Sequence, residues 1–206
     1  ILINFNFRYD AQPLIENSQH TEADGTKYVT LLELLEDICD KAGVSLATQT
    51  FLGYQKHITW YDNTIIAREY VGMIAELNGG YAVIINDELV LKQYSNTAST
   101  TLNISNAQDY KIGESHTITR VAMDNGVFEP VGTDTGMTVY LNVTNVFITE
   151  QSDITNIYNV LNGLVYYAIE YTGSIELGEI GTCFAITDGI TTYKGVTQIT
   201  ASYNRS

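Results

Sequence analysis

Three histidines are the first candidates for chemistry, because imidazole binds metals and transfers protons near neutral pH. His20 lies in a polar segment, His57 lies beside an aromatic stretch, and His116 lies on a predicted strand. No HExxH or HxH spacing groups two of them, as the common zinc motifs would. The sequence therefore predicts exposed or hydrogen-bonded histidines, and it predicts neither a metal nor a cofactor.

Paired carboxylates are the second candidates, since a glycosidase uses two of them roughly 5–10 Å apart. Glu33, Glu36 and Asp37 share a polar helix face, and Glu176 and Glu179 flank a predicted turn. An acidic chain offers many such pairs, so a solvated surface explains them better than a hydrolase does. The GxSxG motif of serine hydrolases is absent as well. We predict that the chain is not an enzyme and has no catalytic residue.

The glycines and cysteines predict structure rather than chemistry. Gly79 and Gly80 stand between a predicted helix and a strand, which is the reverse of the order in a phosphate-binding loop. We expect Gly79 to adopt a positive φ at the helix end and Gly80 to allow close packing. Cys39 and Cys183 belong to no CxxC or zinc pattern, so both are predicted to be small buried apolar residues.

An aromatic stretch holds the sole candidates for ligand contact. It runs from Phe51 to Tyr61 and contains the only tryptophan of the chain, Trp60. Trp60, Tyr61 and Tyr54 could stack on a glycan or contact a partner protein. Packing beside the first predicted helix explains these side chains at least as well. Loss of glycan binding on Trp60→Ala would distinguish the two interpretations.

The charge balance excludes several classes of partner. Ten basic and 24 acidic residues among 206 give a net charge of −14. Proteins that hold DNA or an anionic membrane carry the opposite charge, so we predict no sequence-specific nucleic acid and no membrane anchor. The chain begins at Ile1 without a methionine or a signal peptide, which we interpret as a cut inside a longer protein.

Local patterns predict a compact α/β unit in the first half of the chain. Thr30 and Glu33 have the spacing of a capping box, and Gly43 is placed to end the helix that they start. A second helix is predicted from Thr64 to Asn78. A hairpin with a turn at Asn86-Asp87 follows. Two helices and a hairpin therefore predict a compact α/β unit, which we delimit as residues 28–95.

The remaining segments predict mostly strands. Residues 1–7 alternate apolar and polar side chains like a strand, and one helix is expected from Glu150 to Leu161. The predicted strands after the linker 95–99 are Ser115–Met123, Val127–Val131, Thr138–Asn142, Val165–Thr172, Thr182–Thr187, Ile190–Tyr193 and Val196–Tyr203. The fold class is therefore α+β, an antiparallel β-barrel or sandwich layer with a small α/β insertion. We predict that residues 1–27 are strand and loop of the β layer and that 96–206 form a mainly β domain.

Three stretches together resemble a known protein family. The first is the helix 31–38 followed by residues 64–84, which end in Ala75-Glu76-Leu77-Asn78-Gly79-Gly80-Tyr81-Ala82-Val83-Ile84. The second runs from Ile112 to Gly126, and the third runs from Tyr140 through Phe147-Ile148 to Tyr167. In this order they resemble the tail-tip (baseplate hub, tail-associated) structural proteins of bacteriophages and prophages. Val146 and Glu179 stand where that family often has proline and aspartate.

This resemblance implies a structural role in the virion. Hub proteins of this family are trimers, in which two β-barrels per subunit form a ring that continues the tail tube. The resemblance therefore implies a link between the tail tube and the host-contacting tip, with the tube or distal tail protein and tip fibres as partners. It implies a homotrimer in the full-length protein, located in the virion tail and in the host bacterial cytoplasm during assembly. A carbohydrate-binding or adhesin module on a phage or cell surface is the alternative.

Overall fold

The computed structural model describes residues 3–60, 62–173 and 182–196. Tyr61 and the predicted carboxylate pair Glu176 and Glu179 lie outside the described residues, as does most of the predicted strand Val196–Tyr203. The chain divides into two compact units, each built from two segments. Unit 1 comprises residues 1–93 and 142–157, and unit 2 comprises residues 94–141 and 158–206.

The described chain contains both helices and strands. Up to residue 93 the elements are a 3-10 helix (Ile3–Phe5), α1 (Gln12–Glu16), β1 (His20–Thr21), β2 (Lys27–Thr30), α2 (Leu31–Ala42), β3 (Ser45–Leu46), β4 (His57–Ile58), α3 (Ala67–Leu77), β5 (Gly80–Ile85) and β6 (Glu88–Gln93). After residue 93 the elements are β7 (Thr100–Asn103), a 3-10 helix (Ile104–Asn106), β8 (Ala107–Met123), β9 (Val131–Gly132), β10 (Met137–Leu141), α4 (Gln151–Leu161), β11 (Val165–Gly173), β12 (Cys183–Thr187) and β13 (Thr192–Val196). The predicted α+β class is confirmed.

Helix α2 forms where its local signals place it. The Thr30 hydroxyl accepts a hydrogen bond from the Glu33 N–H, and the Glu33 carboxylate accepts one from the Thr30 N–H, which completes the capping box. Gly43 ends the helix at φ 67°. The buried face of α2 consists of Leu31, Leu34, Leu35, Ile38 and Cys39. This face contributes to the core of unit 1.

Helix α3 begins at Ala67, three residues later than the predicted start at Thr64. The reason is a β-bridge between Arg8 and Ile66, which holds Ile66 extended. The Ala67 N–H donates to the carbonyl of Phe7, and this bond replaces a side-chain cap. The hydroxyl of Thr64 bonds instead to Asp62. A contact with a distant segment therefore sets this helix boundary.

The predicted hairpin of unit 1 is confirmed. β5 and β6 pair antiparallel, and Asn86 and Asp87 connect them at φ 51° and 65°. Two consecutive positive φ values give the turn that matches the twist of a hairpin. β3 adds to this sheet in parallel, and β1, β2 and β4 form a second small sheet. Gly79 has φ 68°, as expected, and Gly80 lies against the backbone of Lys92.

The predicted strand at residues 1–7 is wrong for the described part of that segment. Residues 3–5 form a 3-10 helix, and α1 follows in a segment that was predicted as loop. Phe5 and Tyr9 are the buried side chains here, at 0% and 1% exposure. Burial from Asn4 to Tyr9 alternates as it would in a strand, but the backbone of residues 3–5 is a 3-10 helix.

The described residues of unit 2 form two sheets. β8 lies between β10 and β11, with β9 also paired to it, and β12 lies between β13 and β7. β8 extends the predicted strand Ser115–Met123 back to Ala107, whereas the predicted strand Val127–Val131 shrinks to β9. β10 pairs with β8 in parallel, and so does β7 with β12, which corrects the prediction of a purely antiparallel layer. The sheets formed by the described residues are open, so the barrel stays a prediction.

Candidate functional site

Trp60 lies at the end of a chain of aromatic side chains in unit 1. Its ring packs on Phe147, with centroids 5.8 Å apart. Phe147 contacts Tyr70 at 5.8 Å, and Tyr70 contacts Tyr9 edge-on at 5.7 Å. Phe147, Tyr70 and Tyr9 are each at most 1% exposed, whereas Trp60 is half-buried. Trp60 therefore anchors the core with one part of its ring and keeps another part accessible.

Tyr54 has different neighbours from Trp60. Its half-buried ring meets Phe51 edge-on at 6.3 Å, and its carbonyl accepts a hydrogen bond from the Leu32 N–H. These contacts place Tyr54 beside the start of α2, as the packing interpretation expected. The glycan or partner contact proposed for Trp60, Tyr61 and Tyr54 stays a prediction.

Two histidines that looked unrelated in sequence meet on the sheet of β1, β2 and β4. Tyr28 stacks on His57 at 3.7 Å on one side and on His20 at 5.2 Å on the other. Each histidine also contacts a carboxylate: His20 Nε2 lies 2.9 Å from Glu33, and His57 Nδ1 lies 2.7 Å from Glu22. Tyr28 separates the two imidazoles, so they do not converge on one point.

The Glu33 carboxylate belongs to both this stack and the capping box. Burial raises the pKa of this carboxyl. Hydrogen bonds from the Thr30 N–H, His20 and the Thr30 hydroxyl lower it by more, so the pKa lies below its usual value. The carboxylate form of Glu33 is therefore favoured by the helix start that it caps.

An acidic groove of about 560 Å³ lies beside this stack. Four carboxylates of α2 line it, and they recur at helical spacing: Glu33, Glu36, Asp37 and Asp40. Lys41 and His20 supply positive charge in the same groove, and Leu14 and Val29 add apolar surface. The predicted polar face of α2 is therefore one wall of a groove, with cationic side chains already placed against it.

Burial raises the pKa of two side chains, Tyr9 and Cys39, and so keeps both in their protonated form. The pKa of Tyr9 is raised by burial and by the hydrogen bond of 2.6 Å that its hydroxyl donates to Asp37. Burial raises the pKa of the Cys39 thiol to about 12. Cys39 and Cys183 are both buried and free, which confirms the packing role predicted for them. A thiol with such a pKa is not a nucleophile at neutral pH.

No group of three or more histidine, cysteine, aspartate or glutamate side chains is arranged to hold a metal in the part of the chain that the structure describes. His116 lies on β8, where it faces Tyr166 of β11, and it is exposed. Within the same described ranges, no helix is long and apolar enough to cross a membrane.

Two buried polar clusters join segments that are distant in sequence. Lys56 Nζ binds both carboxylate oxygens of Asp153, at 2.9 and 2.8 Å. The amide of Asn145 donates to the Met73 carbonyl and to Glu76, at 2.9 and 2.7 Å. Sequence reasoning missed both clusters, because nothing in the local pattern marks a lysine or an asparagine as buried. Both clusters attach residues 142–157 to the first segment of unit 1.

No protein-family model matches the sequence, and no curated protein matches it. Two solved structures resemble the chain at low sequence identity. The 43 kDa tail protein of prophage MuSo2 from Shewanella oneidensis has a TM-score of 0.47 and 14% identity, over 81% of this chain and 56% of that one. A tail protein from Neisseria meningitidis MC58 has a TM-score of 0.45 and 13% identity, over 82% of this chain and 60% of that one.

Both neighbours are tail proteins. The chain spans less than two thirds of the length of either neighbour. The site residues found above are structural in their contacts: they close a core, cap a helix or attach one segment to another.

Proposed function

We propose that this chain is a structural component of a phage or prophage tail, in the tail tip or baseplate hub, where it links the tail tube to the host-contacting tip. The observation that carries the proposal is the order of the three family-like stretches, which span most of the chain. They coincide with α2, α3 and the β5–β6 hairpin, then with β8, and then with β10, α4 and β11. The two tail proteins of similar fold belong to the same class, but at TM-scores below 0.5 they do not assign it.

The proposed partners are other tail proteins. They are the tube or distal tail protein on one side and the tip fibres on the other, with three copies of the full-length protein forming the hub. The net charge of −14 is compatible with a channel through which DNA passes, since a basic lumen would bind the phosphates. The proposal therefore includes acidic or neutral side chains along the lumen and no enzymatic role.

The location of the protein in particles tests this proposal. Antibodies raised against the chain are used for immunogold labelling of particles induced from the source strain. The expected result is gold at the distal end of the tails, with no gold on heads or on tails that lack their tip. Gold on the cell envelope with bare particles would contradict the proposal and favour the carbohydrate-binding alternative.

The oligomeric part of the proposal has its own test. Purified tails are treated with a short cross-linker and probed with the same antibodies, and bands up to a trimer of the full-length protein are expected. A ladder that stops at two copies would contradict a trimeric hub. Cross-linking counts the copies, and immunogold labelling locates the protein. The trimer can therefore be contradicted while the location in the tail tip is supported, and the reverse.

A further inference from the structure

One edge of β8 is open over residues 107–117. β11 pairs with the opposite edge along this stretch, from Thr117 to Ala107. β10 and β9 pair with β8 only beyond this stretch, β10 from Ile118 to Met123 and β9 at Arg120 and Val121. No strand among residues 3–60, 62–173 and 182–196 pairs along the first part of this edge. A row of backbone N–H and C=O groups is therefore available to a further strand.

The same stretch is exposed on both faces. Every residue from Gln108 to Thr117 is exposed except Ile112, which is half-buried. A ribbon of two strands with so little buried surface has marginal stability by itself. A third strand along the open edge would add hydrogen bonds and cover Ile112 and Tyr110.

A β-bulge sets which side chains share a face. Ser115 faces Tyr167 and Ile112 faces Ile169, so β8 advances three residues while β11 advances two. The extra residue lies at Gly113-Glu114, opposite Ala168. Since the alternation of faces shifts across the bulge, Asp109, Lys111, Glu114 and His116 follow one face, while Tyr110, Ile112 and Ser115 follow the other.

We propose that this edge pairs antiparallel with the same edge of a second copy of the chain, about a two-fold axis at Ile112. In that register Ile112 faces Ile112 of the second copy, and Tyr110 faces Ser115. Lys111 faces Glu114, and Asp109 faces the imidazole of His116. Each of these pairs occurs twice across the axis, and cross-strand pairs of opposite charge stabilise a sheet.

The charge pattern selects this register over its neighbours. A slip of two residues in one direction places Lys111 opposite Lys111 and Asp109 opposite Glu114. A slip in the other direction places Glu114 opposite Glu114 and Lys111 opposite His116. Like charges directly opposite each other are destabilising. An unrelated strand would lack the complementary charges, so this pattern favours a second copy over other occupants.

The mass of the chain in solution tests the pairing, by size-exclusion chromatography with light scattering over a concentration series. The expected result is twice the mass of one chain at high concentration. K111E and E114K should each weaken the dimer by about tenfold in Kd, because two attractive pairs become repulsive. The double variant K111E/E114K should restore it. R68E, which makes the same charge change on an exposed residue of α3, should leave Kd unchanged.

The double variant separates the proposal from effects within one chain. Lys111 also lies 3.9 Å from Glu170 of β11, and K111E would repel Glu170 in the single and the double variant alike. Restored dimerisation therefore reports the contact with the second copy. A wild-type monomer at all concentrations, a trimer whose mass K111E leaves unchanged, or a double variant no better than the singles would overturn the proposal. The pairing does not rest on the proposed tail function, since a trimer formed through other surfaces leaves this edge free.

Discussion

The ion pair of Lys56 and Asp153 joins the two segments of unit 1. The side chains are 18% and 8% exposed, so both charges are largely removed from water. Asp153 also accepts hydrogen bonds from the backbone N–H groups of Thr149 and Glu150, just before α4. One carboxylate therefore neutralises a buried lysine and satisfies the start of a helix.

We expect Asp153→Ala to destabilise unit 1 by about 3–5 kcal/mol, because it leaves Lys56 charged, buried and unpaired. Lys56→Met should lower the free energy of unfolding by less, since Asp153 keeps its two backbone donors. Urea unfolding of both single variants and of K56M/D153A gives the coupling energy. Additive effects of the two substitutions would show that the pair contributes nothing.

The lowered pKa of Glu33 predicts a dependence of stability on pH. A carboxyl whose pKa is lower in the folded chain stabilises the fold above its unfolded pKa of about 4.3, and this stabilisation is lost as the pH falls through the folded pKa. Glu33→Gln keeps a capping side chain without the charge. Its Tm should therefore lie below that of the wild type at neutral pH and approach it in acid. Glu36→Gln, outside the capping box, is the matched control, and an equal loss there would contradict the assignment.

At the scale of elements, the turn between α3 and β5 depends on two glycines for different reasons. Position 79 requires glycine because its φ is positive, whereas position 80 requires glycine because there is no room for a Cβ atom. A Cβ on Gly80 would lie 1.7 Å from the Lys92 carbonyl oxygen and 2.7 Å from Gln93 Cα. Backbone atoms cannot move aside without disrupting the β5–β6 pairing.

Alanine substitutions at two glycines should therefore have opposite effects. Gly80→Ala should destabilise the chain by about 3 kcal/mol because of this overlap. Gly72, exposed within α3, would have nothing within 4 Å of an added Cβ, so Gly72→Ala should stabilise it by about 1 kcal/mol. Thermal melts of the two variants check this, and a neutral Gly80→Ala would contradict the packing of the hairpin.

On the scale of the whole molecule, unit 1 is not a continuous stretch of sequence. It includes residues 142–157, which contribute the buried side chains of Phe147, Ile148, Ile154 and Ile157. The domain boundaries predicted at residues 28 and 95 took no account of this second segment. Those boundaries stay a prediction that fragments of the chain can test.

We expect residues 1–93 alone to lack a cooperative thermal transition, because Tyr70, Trp60 and Lys56 lose their partners. Joining residues 1–93 to 142–157 through a flexible Gly/Ser linker should restore cooperative melting, followed by circular dichroism. A fragment 1–93 that melts like the intact chain would show that the second segment is dispensable, and it would support an independent insertion.

Sequence by itself determined the parts of this protein that short-range interactions fix. Three features depend on neighbours within a few residues: the capping box of Thr30 and Glu33, the cap at Gly43 and the turn at Asn86-Asp87. Their patterns can therefore be recognised in the sequence. The excess of acidic residues and the absence of catalytic motifs can also be recognised in the sequence.

Tertiary structure decided which distant segments meet. The parallel pairing of β10 with β8, the start of α3 at Ala67 and the Lys56–Asp153 ion pair all join residues far apart in sequence. The stack of His20, Tyr28 and His57 has the same origin, since it needs three strands side by side. Spacing along a chain specifies which face a side chain takes but not which edge it meets, because that depends on how the segments pack together.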